Sequence, residues 1–388
     1  MRRLTRAEMQ ERTRAKVLAA ARDEFAERGF REAKIDGIAD RAGLTRGAVY
    51  SNFPGKRALY FTVLADEAER SAPPALAEAE RTAAEALAAL ARAWVARLPL
   101  AVEAPRGVAG LGVDLMPEIL AEQRTRQVFA QLMKLNAIVL GLSLERLRPR
   151  GAPAARLVRV AESVLTALYG VSQMSAAAPG FVDPFDAVTV CERLADLPLG
   201  GGWPPVAGVP QVQAMDRPWS PADTAGAANA LDALRAEPER FSGDGVVAVL
   251  GLRRLEAAEE AVRAAPDGTE ITAVLVTDDP DELAPLARLI LAELAGCLRQ
   301  AFPPSSWPPL RVVFDPSGDL AAAAGVSAVS DETETAVRIE ADRIVARADG
   351  RLACHAIASM PQATIASVPQ AAGATTAPAA GASTARSG

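Results

Sequence analysis

Apolar residues recur at helical spacing from near the start of the chain. Val17, Leu18, Ala21 and Phe25 form one stripe, and Gly29 marks where that helix must stop. Ile35, Ile38, Ala39 and Ala42 predict a second, short helix. Gly43 supplies the left-handed residue that a tight helix-to-helix turn needs, with Leu44 as its buried plug. Thr45 is placed to cap a third helix, Arg46 to Asn52, whose Val49 and Phe53 point inward while Arg46, Ala48, Tyr50 and Asn52 point elsewhere. Pro54 and Gly55 end it, and Lys56 opens a fourth helix. An Ala-rich amphipathic helix follows from Leu76 to Leu98, and Gly107 to Gly112 breaks the pattern. Pro117 to Arg148 reads as one long helix, Pro149 to Pro153 as a turn, Ala154 to Ala177 as a second long helix and Pro184 to Leu197 as a shorter one.

The pattern then changes. A Gly- and Pro-rich stretch, residues 199–222, reads as a linker. Beyond it, Val246 to Leu250, Ile271 to Val276 and Leu310 to Phe314 read as strands. Helices are expected at Leu255 to Ala264, Asp281 to Arg299 and Asp319 to Ala324, and a hairpin at Thr335 to Ile339 and Ile344 to Arg347. Alternation of strand and helix predicts an α/β layer over residues 223–360. Residues 361–388, rich in Ala, Thr, Ser, Gly and Pro, have no core-forming pattern and are expected to be a disordered tail.

A short exposed helix carrying an Arg, a Tyr and an Asn suits the major groove of DNA. The stripes alone equally fit a plain packed cluster of three helices. The order of segments, FAERGF (25–30), IADRAG (38–43) and TRGAVYSNFPGKRAL (45–59), resembles the N-terminal domain of TetR-family transcriptional regulators over about the first 65 residues. The chain departs from that family at Ala33-Lys34, where a Thr or Ser normally caps the second helix. The resemblance implies a helix-turn-helix head at 1–68 with Thr45, Arg46, Gly47, Ala48, Tyr50, Asn52 and Lys56 facing DNA. Arg46 would meet a base edge, and Tyr50 and Lys56 the phosphates; Lys34, where the chain departs from the family and the usual cap is missing, is a further candidate for a phosphate contact. It implies a helical ligand-binding and dimerisation domain at 75–198. There Leu165, Leu168, Tyr169, Met174, Val188, Cys191 and Leu194 would pair with a second copy, the alternative being plain monomer core. Trp94, Met116, Phe129 and Met133 would line a small-molecule pocket. The run VVFDPSGDLAAAAGV (312–326), followed by TAVRIEADRIVARADG (335–350), looks like the second half of thioredoxin-like domains. The expected fold is thus mainly α, a helix-turn-helix head and an all-helical domain, followed by a C-terminal α/β (thioredoxin-like) domain.

Charge supports the division. Net charge is −6, yet residues 1–57 hold 14 Lys or Arg against 8 Asp or Glu, a balance of +6, leaving −12 for the remainder. Only the N-terminal part has reason to approach phosphates. Three widely spaced cysteines, Cys191, Cys297 and Cys354, argue against a disulfide framework and for a reducing, cytoplasmic setting. The uncharged stretch Ser163 to Val182 contains Ser, Thr, Gln and Pro, a poor membrane span. The segment after the first strand, Gly251 to Glu256, has no cysteine for a redox dithiol, His355 is the single histidine, and no phosphate-binding Gly loop occurs. The reading is a non-enzymatic homodimeric regulator without cofactor or metal, bound to a double-stranded operator and to a small-molecule effector, with no membrane partner. The alternatives are a thiol-redox sensor or oxidoreductase using Cys297 or Cys354, and a pure interaction protein.

Overall fold

The structure, a computed structural model, describes residues 5–71, 73, 80–98, 111–149, 151, 155–199, 208–221, 230–239, 241 and 243–361. Most of the expected turn at 149–153, residues 200–207 and 222 of the linker, residues 107–110 of the expected break and residues 362–388 of the expected tail lie outside the described residues.

The head is built from α1 (Arg6–Glu32), α2 (Ile35–Ala42), α3 (Arg46–Tyr50) and the start of α4 (Lys56–Arg70). Thr5 and Glu8 close a reciprocal cap on α1. Gly29 leaves the helical region (φ 73°), as its position predicts. Gly43 sits in the left-handed region (φ 66°, ψ 37°), where a side chain costs about 1 kcal/mol or more. The helical domain continues through α5 (Ala83–Val95), α6 (Leu115–Ala121), α7 (Gln123–Arg146), α8 (Val158–Ala177) and α9 (Pro184–Leu194). The expected helix Leu76 to Leu98 lies partly outside the described residues. α5 starts at Ala83 because Thr82 and Glu85 form a second reciprocal cap. The single helix expected from Pro117 to Arg148 is two, divided where Glu122 turns extended (φ −126°, ψ 144°).

The α/β domain carries β1 (Gln213–Pro218), the short pair β2 (Leu231–Asp232) and β3 (Glu237–Pro238), then β4 (Gly245–Gly251), α10 (Ala257–Ala264), β5 (Glu270–Val276), α11 (Leu283–Ala301), β6 (Leu310–Phe314), α12 (Asp319–Ala323), β7 (Glu334–Glu340), β8 (Arg343–Asp349) and α13 (Ala353–Ala358). The main sheet runs β1-β8-β7-β4-β5-β6, with β4, β5 and β6 parallel and β1, β8 and β7 antiparallel to their neighbours. Strand β1 corrects the linker reading, since residues 213–218 pair with the outer edge of β8. Its sequence, Gln-Ala-Met-Asp-Arg-Pro, lacks an alternating apolar pattern. The edge of β8 supplies the hydrogen-bonding partner that the segment itself does not announce.

The two halves share one apolar core. All seven residues of β4 are buried, and one face of the sheet packs on α10, α11 and α13. Helix α11 also packs on α4, α5 and α7 of the helical domain. Leu286, Ile290, Leu291, Leu294 and Cys297 are fully buried, and their cluster is continuous with Leu87, Leu90, Leu132, Leu135 and Ile138. Inside this contact Asn136 Nδ2 donates to the Ile290 carbonyl at 3.2 Å. Ion pairs surround it: Arg288–Asp66 at 3.0 Å, Arg156–Glu259 at 2.7 Å and Arg263–Glu145 at 2.8 Å. The opposite sheet face is covered by Trp219, Phe241 and Leu320 over Val247, Val274 and Ile339. Helix α7 is long and apolar enough to cross a membrane by length and composition, but 67% of that stretch is buried in this core.

This shared core predicts joint unfolding. Leu294→Ala should cost about 2–5 kcal/mol, and calorimetry should show one transition moved down for the whole molecule. Two transitions, with the helical half unmoved, would contradict a common core.

Candidate nucleic-acid interface

The head is locked by buried side chains, which frees one edge for contact. Phe25, Phe30 and Tyr60 pack ring against ring, with centroids 5.3 Å (Phe25–Tyr60) and 4.7 Å (Phe30–Tyr60) apart. Burial pushes the Tyr60 phenol well above its ordinary range, and the neutral hydroxyl donates to the Leu111 carbonyl. Glu24, nearly buried on α1, takes Arg28 and Arg41 at 3.1 Å each and thereby ties α2 to α1. Val49 and Phe53 close the underside of α3, and the guanidinium of Arg14 lies 4.4 Å from the Phe53 ring centroid.

The outward side of α3 carries Thr45, Arg46, Gly47 and Tyr50, all exposed. Thr45 Oγ1 accepts from the Ala48 amide at 3.3 Å, the expected cap. Helix α2 begins at Lys34, exposed and without a side-chain cap, as Ala33-Lys34 implies. Arg46 Nε meets Asp36 Oδ1 at 2.8 Å, with both side chains largely in solvent. Asp36 thus holds the arginine fork over the outer edge of the head, a role that no local sequence signal indicates. Ala48 and Asn52 are half-buried, and Asn52 Nδ2 folds back to donate to the Ala48 carbonyl at 2.8 Å.

Lys56 is placed differently from the expectation of a phosphate contact. Its ammonium donates to the carbonyls of Phe30 (2.7 Å), Ala33 (3.1 Å) and Arg31 (3.3 Å), and lies 4.4 Å from the Phe30 ring centroid. An ammonium has three donors, and all three are engaged in closing the end of α1.

Behind the head, a cavity of about 380 Å³ lies between α4, α5, α6, α8 and α11. Trp94 and Met116 line it. Phe129 and Met133 do not: Phe129 stands behind Tyr169, with ring centroids 5.9 Å apart, and Met133 packs half-buried against the core. Tyr169, Arg97 and Glu293 line it instead. Trp94 Nε1 donates to Ser172 Oγ at 2.9 Å, and its ring stands 5.1 Å from that of Tyr169. Burial raises the pKa of Glu293 and, more strongly, that of Tyr169. Glu293 comes from α11, so one wall belongs to the α/β domain, which spacing within the helical half could not indicate.

The pairing surface also needs correction. Leu165, Leu168 and Cys191 are core of this chain, and Tyr169, Val188 and Leu194 are half-buried. Met174 does stay exposed. Phe181 (72% exposed), Phe185 (82%) and Val190, on and just before α9, are exposed as well. The thiols of Cys191, Cys297 and Cys354 are all free and buried, and burial raises each pKa, that of Cys191 to about 11. Such thiols are poor nucleophiles.

Residues 17–63 match the family described as bacterial regulatory proteins, tetR family. The head is a TetR-family helix-turn-helix domain. Over 65 residues the chain is 46% identical to the HTH-type transcriptional regulator SrpR of Pseudomonas putida, a stretch that is 17% of this chain and 30% of that protein. It is likewise 46% identical over 65 residues to the uncharacterized HTH-type transcriptional regulator TtgW of Pseudomonas putida, 17% of this chain and 48% of that one. The chain therefore spans less than half the length of these curated relatives. A solved TetR transcriptional regulator from Rhodococcus sp. RHA1 is 20% identical, covering 48% of this chain and 95% of its own, with a TM-score of 0.31.

The geometry of the TetR-type head separates two roles. Lys56→Met keeps the stem under Phe30 but leaves three carbonyls without their donor, so it should cost about 1–3 kcal/mol of stability. The salt dependence of duplex binding should stay unchanged. A slope lower by about one unit with an unmoved melting temperature would restore the phosphate role.

Proposed function

We propose that the chain is a sequence-specific DNA-binding transcriptional regulator, a ligand-responsive repressor acting as a homodimer on a palindromic operator. The observation that carries this reading is the exposed edge of α3, with Thr45, Arg46 and Tyr50 presented by a head that is rigid beneath them. A short helix held this way enters a major groove, and two of them reach successive grooves about 34–36 Å apart in a symmetric dimer. The exposed apolar group Met174, Phe181, Phe185 and Val190 supports pairing between two copies. Ligand response is supported by the cavity behind the head. Leu111, Leu115 and Met116 line it, while the Leu111 carbonyl holds Tyr60 and Asp114 accepts from the Phe30 amide at 3.0 Å. An occupant that displaces residues 111–116 moves the aromatic cluster on which α3 rests, and so changes the spacing of the two heads.

We read the α/β domain as thioredoxin-like in type but without redox chemistry, and not as an enzyme. Support for the type comes from the strand–helix alternation closed by the β7–β8 hairpin and α13. Support for the lack of redox chemistry comes from the burial of all three thiols. The cytoplasm is the expected setting.

Two variants test the function. Arg46→Ala should cost about 1–3 kcal/mol on a selected operator and relax discrimination at one base pair per half-site, with an unmoved melting temperature. Equal loss on scrambled duplexes would remove Arg46 as a base reader. Phe185→Glu should convert a sedimenting dimer to monomers, and a dimer that persists would place the interface elsewhere.

A further inference from the structure

The α/β domain reaches the head at a second place, away from the cavity. Residues Asp278, Asp279, Asp281 and Glu282 form an acidic run between the end of β5 and the start of α11. Asp281 lines a cleft of about 480 Å³ whose other walls include Arg14, Tyr50, Ser51, Asn52 and Pro54 of the head. The run is held from both sides. Arg57, the second residue of α4, meets Glu282 at 2.6 Å and Glu122 at 2.7 Å. Arg124 of α7 donates to Asp331 at 2.7 Å and also reaches Asp278, while Thr277 Oγ1 donates to Asp331 at 2.6 Å.

We propose that the docked α/β domain is an electrostatic brake on DNA binding, with the run at 278–282 keeping negative charge beside the edge of the head that meets the phosphates. The inference rests on the DNA-binding reading above. A duplex carries about one charge per 1.7 Å of its axis. A phosphate taken by Tyr50 would share this cleft with Asp281, and at about 0.1 M salt charges act on one another over about 10 Å. The ion pairs of Arg57 and Arg124 fix the run where it is, so its charge cannot swing away without undocking the domain. Arg57 is itself neutralised by two carboxylates, which removes a cation from the start of α4. The head therefore meets DNA with less net positive charge than its own sequence carries.

The test uses the full chain and a fluorescent random-sequence duplex of about 25 base pairs, with binding followed by anisotropy from about 50 to 200 mM salt. None of the ion pairs above involves Asp281, so Asp281→Asn and Asp281→Lys spare the interface. At low salt the Asn variant should bind roughly two- to fivefold tighter than wild type, the Lys variant tighter still, and both gains should shrink as salt rises. Asp267→Asn makes the same charge change in an exposed turn at the far end of β5, about 20 Å along the strand, and should leave affinity at the wild-type value. Equal tightening by Asp267→Asn, or none by the Asp281 variants when wild type binds, overturns the brake. If no form binds the duplex at any salt, the DNA-binding reading falls and the brake falls with it.

Discussion

The structure depends on the burial of one helix, α11, between a sheet and a helical bundle. Fifteen of its residues are buried, from Leu283 to Ala301; the helix packs on α4, α5 and α7, and its apolar cluster continues into Ala248 and Leu250 of β4 and Ala273 of β5. A helix that is apolar on nearly every side has no solvent face to offer, so it must be enclosed. Neither half encloses it alone. Its buried residues belong to one apolar cluster that includes Leu90 and Leu135 of the bundle and Ala248 and Leu250 of the sheet. The two halves are thereby one folding unit, although their sequences read as separate domains.

Rigid attachment has consequences for the head. Helix α4 begins beside α3 and ends against α11, with Asp66 held by Arg288 at its far end and Arg57 held by Glu282 near its start. Any movement of α11 is felt along the whole of α4. The cavity behind the head opens onto the same helix, because Glu293 and Leu289 form part of its wall. The cavity and the acidic run between β5 and α11 are therefore two expressions of one attachment, which brings the α/β domain to the pocket and to the cleft beside α3 together.

The head uses its charges inward before it uses them outward. Lys56, Arg41 and Arg57 are spent on carbonyls and carboxylates of the protein, and Arg46 rests on Asp36. What remains open on α3 is a small set of groups in a fixed arrangement, as direct reading of base edges requires. A count of +6 over residues 1–57 overstates the charge available to phosphates, because a sequence sum cannot tell a paired cation from an exposed one.

Much of the head was legible in the chain itself. Gly29, Gly43, Thr45 and the stripe Val17, Ala21, Phe25 specify local geometry through backbone freedom, capping and helical period, which act over a few residues. The strands β4, β5 and β6 were legible for the same reason, since continuous apolar runs bounded by turns have few alternatives. What tertiary structure alone decided involves residues far apart in sequence. Glu122 broke an apparently continuous helix, β1 joined an edge that its own pattern does not predict, and Leu165, Leu168 and Cys191 turned out to be core while Phe181 and Phe185 stayed outside. Local preference determines which segments become helix or strand. Which faces meet is settled by the sum of apolar area that can be hidden at once, and for α11 that sum is satisfied only across both halves of the molecule.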